Sequence, residues 1–191
     1  TITVYNKNRA PVVTNPGNKI VNEGQKLSFY IDAADPDGNS MTWTITGSPA
    51  GASFTGSGTR TLFTWTPSYS QTGTYTVTFY AKDNGSPNLT GSASIRITVV
   101  NVNRAPILSS PGNKVINEGQ ALSFTITGSD PDGNSLTWSN SPLPSGSKIT
   151  ASGNNRTFSW TPSYTQAGSY SVTFSIKDNG TPILGANRTV T

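Results

Sequence analysis

Apolar and polar residues alternate with a period of two along most of this chain. Leu27, Phe29 and Ile31 alternate with Ser28, Tyr30 and Asp32, and Met41, Trp43 and Ile45 alternate with threonines. Phe63 and Trp65 continue the pattern, as do Tyr75, Val77, Phe79 and Ala81, then Ala93, Ile95, Ile97 and Val99. A two-residue period sends successive side chains to opposite faces of an extended strand. One apolar face and one Ser/Thr face predict antiparallel sheets, buried on one side and wet on the other. No stretch carries the period of a helix.

Turn residues sit where the alternation breaks. Asp35-Pro36-Asp37-Gly38-Asn39 separates two runs and suits a type I turn whose carboxylates bond the local backbone. Asn84-Gly85-Ser86-Pro87 marks a hairpin. About seven short strands with turns every ten or so residues predict a sandwich around a Trp-rich core.

The same text then appears a second time. Arg9-Ala10-Pro11 recurs 95 residues later as Arg104-Ala105-Pro106, and that offset also carries Glu23 to Glu118, Asp35 to Asp130, Trp43 to Trp138, Trp65 to Trp160 and Asp83 to Asp178. About half of the aligned positions are identical, with no net insertion. A period this long is a whole domain, so the chain is two copies of one module. The expected fold is all-β, with two tandem Greek-key β-sandwiches: residues 6–100, a linker at 101–106, and residues 107–191. Pro106 and its β-prone neighbours should keep that linker extended.

The phase of the repeat raises a further expectation. Ile2-Thr3-Val4 matches Ile97-Thr98-Val99, so residues 1–5 have the sequence of a module's last strand, while copy two stops before its own. Two readings stay open. The chain is a stretch of a longer array, or residues 1–5, through Ile2 and Val4, complete copy two of a neighbouring chain by strand donation. The second would build head-to-tail filaments, because such a contact does not close on itself.

Composition narrows the chemistry. The 191 residues include no cysteine and no histidine. Thiolate metal sites, disulfides, thiol nucleophiles and the commonest general base are thereby excluded. Charged residues make up 12%, and the net charge of +4 comes from Lys and Arg scattered singly. Nucleic-acid binding wants a clustered basic stripe, so none is expected. No long apolar run predicts membrane insertion. A cysteine-free, low-charge, Thr/Ser/Asn-rich chain fits an extracellular or cell-surface setting. The absence of an initiator Met suggests part of something longer.

One ordered set of motifs runs through both copies: Arg-Ala-Pro, Asn-Glu-Gly-Gln, Asp-Pro-Asp-Gly, Phe-x-Trp-x-Pro and Gly-x-Tyr-x-Val-x-Phe-x-x-x-Asp. The set resembles the immunoglobulin-like and cadherin-like modules found in tandem in large bacterial and archaeal surface proteins. Gly73-Thr74-Tyr75 and Gly168-Ser169-Tyr170 are similar to the tyrosine corner of immunoglobulin folds, and Trp43 and Trp138 take the place of the buried strand-C tryptophan. The resemblance implies a non-catalytic spacer or adhesive role, with neighbouring copies of the module as partners.

The resemblance also implies candidate calcium ligands, since an early Glu and an Asp-x-Asp share ions in cadherin-like modules. These are Glu23, Asp35, Asp37 and Asp83, repeated as Glu118, Asp130, Asp132 and Asp178. Loops near one end of a sandwich are expected to gather them, and hard oxygens are what calcium needs. No ion is required by the fold, and Arg104 stands in the linker where an acid would be expected. For a surface glycan, Tyr30 and Tyr80 are the candidate stacking residues, both off-phase and therefore outward-facing. Paired carboxylates inside repeated turns do not suggest a glycosidase, so no enzyme activity is expected.

Overall fold

A computed structural model describes all residues 1–191 and contains only strands and loops. The chain divides into two compact units, Thr1–Val102 and Asn103–Thr191. The residues expected as a linker are therefore shared out, with the division falling between Val102 and Asn103.

Module 1 holds eight strands: β1 (Val12–Val13), β2 (Lys19–Asn22), β3 (Leu27–Ala34), β4 (Met41–Thr46), β5 (Ser53–Ser57), β6 (Arg60–Trp65), β7 (Gly73–Asp83) and β8 (Thr90–Val100). They form two four-stranded sheets, ordered β1-β3-β6-β5 and β2-β8-β7-β4. Every pairing is antiparallel except one: β2 runs parallel to β8, with Lys19 opposite Ile97 and Asn22 opposite Val100. The inward positions of the alternation meet between the sheets. Ile31, Phe63, Val77, Phe79 and Ile97 are fully buried, and Trp65 is 2% exposed. Phe63 and Phe79 meet edge to face at 6.0 Å, and Trp65 meets Tyr75 at 4.9 Å. Such pairs add to the area they bury.

Polar ends of these aromatics are satisfied by backbone. Trp65 Nε1 donates to the Ala50 carbonyl (3.2 Å), and Trp160 Nε1 donates to that of Ser145 (3.1 Å). The Tyr75 hydroxyl returns to the Gln71 carbonyl at 3.0 Å, and Tyr170 does the same to Gln166 at 3.1 Å. That contact is the tyrosine corner. The two expected turns also form, since Gly38 N–H donates to Asp35 O and Gly133 N–H to Asp130 O. At +75° and +76°, the φ of Gly38 and Gly133 suits a residue without a Cβ.

Module 2 repeats the plan with seven strands: β9 (Ile107–Leu108), β10 (Leu122–Ser129), β11 (Thr137–Asn140), β12 (Lys148–Ser152), β13 (Asn155–Trp160), β14 (Val172–Lys177) and β15 (Gly185–Val190). Its sheets are ordered β12-β13-β10-β9 and β11-β14-β15. Residues 114–117, the counterpart of β2, form no strand here.

Two tryptophans depart from expectation. Trp43 and Trp138 are half-buried rather than core residues. Both lie on edge strands, β4 and β11, so no neighbouring strand covers their far side. Trp43 Nε1 reaches the Gly58 carbonyl at 2.8 Å. Trp138 instead carries the Arg156 guanidinium 4.6 Å above its ring, and its Nε1 has no partner.

Candidate functional site

Each module carries a polar cluster where its N-terminal segment crosses the Asp-Pro-Asp-Gly turn. In module 2, Asn103 is the hub. Its Nδ2 donates to Asp178 Oδ2 (2.9 Å) and to the Pro182 carbonyl (2.8 Å), while its Oδ1 accepts from Asn134 Nδ2 (2.7 Å). Arg104 follows and grips Asp132. Its backbone N–H donates to Oδ2 (2.7 Å), Nε donates to Oδ1 (2.8 Å), and Nη2 reaches the Pro131 carbonyl (2.6 Å). Module 1 repeats the set with Asn8 on Asp83, Pro87 and Asn39, and with Arg9 on Asp37 and Pro36.

Local sequence explains why the turn can be gripped. Asp35 Oδ1 accepts from Asp37 N–H and Asn39 N–H, and Asp130 Oδ1 does likewise with Asp132 and Asn134. These carboxylates hold the turn and aim the second Asp at the arginine. Asp83 Oδ1 accepts from Gly85 and Leu89 N–H, and Asp178 Oδ1 from Gly180 and Leu184 N–H, which shapes the hairpin. Glycine is needed beside the hub. A Cβ on Gly180 would lie 2.2 Å from Asn103 Oδ1, and one on Gly85 would lie 2.3 Å from Asn8 Nδ2.

The electrostatics follow from these partners. The hydrogen bond from Arg9 holds the Asp37 carboxyl below the usual carboxylate range, and Arg104 does the same for Asp132. Burial alone would push Asp83 and Asp178 up. The N–H groups of Leu89 and Leu184, with Asn8 and Asn103, outweigh it and bring both carboxyls below that range.

The expected calcium ligands do not all come together. Asp35, Asp37 and Asp83 gather near Asn8 and Arg9, but Glu23 precedes β3 whereas Asp35 follows it. An eight-residue strand intervenes, about 26 Å long. Strand β10 separates Glu118 from Asp130 in the same way. Glu23 is 2% exposed and serves module 1's other end, where its Oε2 accepts Val102 N–H at 3.0 Å. No three carboxylates converge as a group that could hold a metal ion.

The outward tyrosines are also apart. Tyr30 lies on β3 and Tyr80 on β7, which belong to opposite sheets, so they cannot line one groove. One face of the Tyr30 ring is covered by the Arg60 guanidinium at 5.0 Å, itself paired with Asp32 at 2.6 Å.

The sequence profile of the family described as "Putative Ig domain" matches residues 10–100 and again residues 105–191. The chain belongs to this family, in two tandem copies. A stretch of 132 residues is 26% identical to Chitinase A from Pseudoalteromonas piscicida, covering 69% of this chain but 16% of that protein. Among solved structures, the Ig pair resembles protocadherin gamma B2 extracellular domains 1–5, at 19% identity with a TM-score of 0.56 over 97% of this chain and 40% of that one. Protocadherin gamma B7 extracellular domains 1–4 give 21% identity and a TM-score of 0.54, over 94% of this chain and 48% of that one. At such identities the likeness establishes the cadherin-like Ig fold, and the chain spans less than half of these relatives.

Proposed function

We propose that the chain is a pair of non-catalytic spacer modules from an extracellular protein, setting its neighbouring domains apart by mechanical means. The carrying observation is the Asn–Arg clamp. Each module fastens its incoming segment to its own sandwich by direct hydrogen bonds, and the clamped carboxylates are turned to the chain rather than toward a substrate. Histidine and cysteine are absent, so the usual acid–base and thiol chemistries have no carrier. The likeness to a small part of a chitinase favours an ancillary place beside a domain that handles polysaccharide. No helix is long and apolar enough to cross a membrane.

Load-bearing geometry supports this reading in module 1. Strands β2 and β8 lie near the beginning and end of the module and run parallel over four register pairs. Tension along the chain pulls them in opposite directions, so these bonds are sheared together instead of opened one by one. Single-molecule pulling from both ends should give two separate unfolding events, one for each module. A chain that extends without resolvable resistance would sink the spacer reading. Saturable retention on chitin that is lost in Tyr30→Ala would replace it with a glycan-binding one.

A further inference from the structure

Strand β4 ends its sheet in module 1 and leaves one edge unpaired, since its partner β7 lies on the other side. The phase of the ladder fixes what that edge offers. Asn84 N–H donates to the Ser40 carbonyl, and these two residues continue the register that sets Met41 opposite Asp83. Hydrogen-bonded and open pairs alternate along an antiparallel ladder. Thr42, Thr44 and Thr46 therefore turn their main-chain groups toward β7, and Met41, Trp43 and Ile45 turn theirs to the open edge. Natural sheets blunt such edges with charge, proline, bulges or brevity. Other edges of these modules are blunted: β1 and β9 have two residues each, β5 is weakened by Gly56, and β12 begins on Lys148. Strand β11, the counterpart of β4, stops after four residues before Ser141-Pro142, and Arg156 lies across its Trp138. Strand β4 has none of these devices. Its six residues, Met-Thr-Trp-Thr-Ile-Thr, are uncharged and rich in strand formers.

We propose that β4 is a lateral docking edge for a second copy of this chain, the two β4 strands pairing antiparallel about a two-fold axis at Trp43. Opposed residues of an antiparallel pair share a face, so inward positions must meet inward and outward must meet outward. An axis at Trp43 satisfies this. Trp43 meets its own counterpart, Met41 meets Ile45 of the other copy, and Thr42 meets Thr44. The same register joins the unpaired groups of Met41, Trp43 and Ile45 in about six hydrogen bonds. Any extended peptide offers main-chain bonds, but the side chains here select another β4. From Trp43 the order reads alike in both directions: Thr42 and Thr44, then Met41 and Ile45, then Ser40 and Thr46. Cross-strand threonine pairs add to the fit on the outer face. On the inner face, the flank of Trp43 that no strand covers meets the other copy's indole. Its own ring is held by the Gly58 carbonyl at 2.8 Å and by Phe54 at 6.5 Å. Six residues make an edge about 20 Å long, so the contact is small and suits weak self-association. Both copies use the same surface, so the pair closes as a dimer.

The test uses the 191-residue chain itself. Sedimentation velocity up to about 1 mM, the range of a weak contact, should show a monomer–dimer equilibrium. Thr42→Glu with Thr44→Glu opposes like charges twice across the axis and should weaken the dimer about tenfold or more. Thr42→Glu with Thr44→Lys opposes unlike charges in this register and should restore it, whereas an axis at Thr44 would oppose two lysines. Within the module Thr42 faces Lys82 and Thr44 faces Tyr80, so both variants should melt as the parent does when dilute. The chain has no native cysteine, which permits a direct check. Thr42→Cys and Thr44→Cys chains mixed under mild oxidation should cross-link, since an open antiparallel pair brings Cα atoms within disulfide reach. Thr42→Cys chains among themselves should not. A chain monomeric at the top of this range, a dimer indifferent to the paired glutamates, no recovery with the lysine, or cross-linking without regard to position would each overturn the proposal. The spacer reading survives any of these results, as it concerns the single chain under load.

Discussion

Arg104 stands where an acidic residue was expected to help hold an ion, Arg9 is its counterpart in module 1, and that reversal of charge sets the chemistry of the clamp. A guanidinium in contact with Asp37 or Asp132 already supplies the positive charge a divalent ion would bring, and repels the ion itself. Melting curves with added calcium and with a chelator should therefore coincide; a calcium-dependent rise would show the clamp yielding to an ion. The same contacts fix the acid limb of stability. Asp37, Asp83, Asp132 and Asp178 all titrate lower in the fold than in the free chain. Their contribution is complete at neutral pH and fades as pH falls through about 4 and below, where the unfolded chain takes up protons first. Melting temperature should hold from pH 7 to about 5 and then drop, and Arg9→Ala with Arg104→Ala should flatten that drop. The Asp-Pro-Asp-Gly turn was legible in sequence because its hydrogen bonds are local. Asn8 and Asn103 were not read as hubs, since their key partners Asp83 and Asp178 lie 75 residues away.

Strand position, more than residue type, decides what a tryptophan is worth. Trp65 and Trp160 sit on β6 and β13, each flanked by a strand on both sides, and are buried. Trp43 and Trp138 occupy edges and stay half-buried. Alternation alone gives all four the same inward phase, because a period of two separates faces but carries no information on sheet order. Tyr30 and Tyr80 were paired for the same reason: both fall on the polar phase of their strands, but the pattern could not say that those strands belong to opposite sheets. Strands as short as β1 show too few positions to reveal a period. Trp65→Ala should cost about 3–5 kcal/mol through lost contacts and the cavity left behind. For a domain this size that lowers the melting temperature by at least ~12 °C. Trp43→Ala should cost clearly less, since much of its surface already meets water. Chemical denaturation of the two variants would check the ranking, and equal losses would show that edge placement does not govern the energetics.

The repeat that was plain in the sequence makes the two modules a matched pair with a shared strand plan, in which β8 runs beside β2 in module 1. In module 1 that strand lets Val21, Ile97 and Val99 leave water together, and each buried aliphatic of this size contributes about 1.5–3 kcal/mol before the entropy of ordering the segment is subtracted. Module 2 has the same tyrosine corner, the same clamp and a similar aromatic core. Each unit has its own buried core, so calorimetry should resolve the two modules as separately responding transitions. Trp160→Phe should shift only the transition of module 2 and Trp65→Phe only that of module 1. A single transition moved by either variant would show that the two modules melt as one unit.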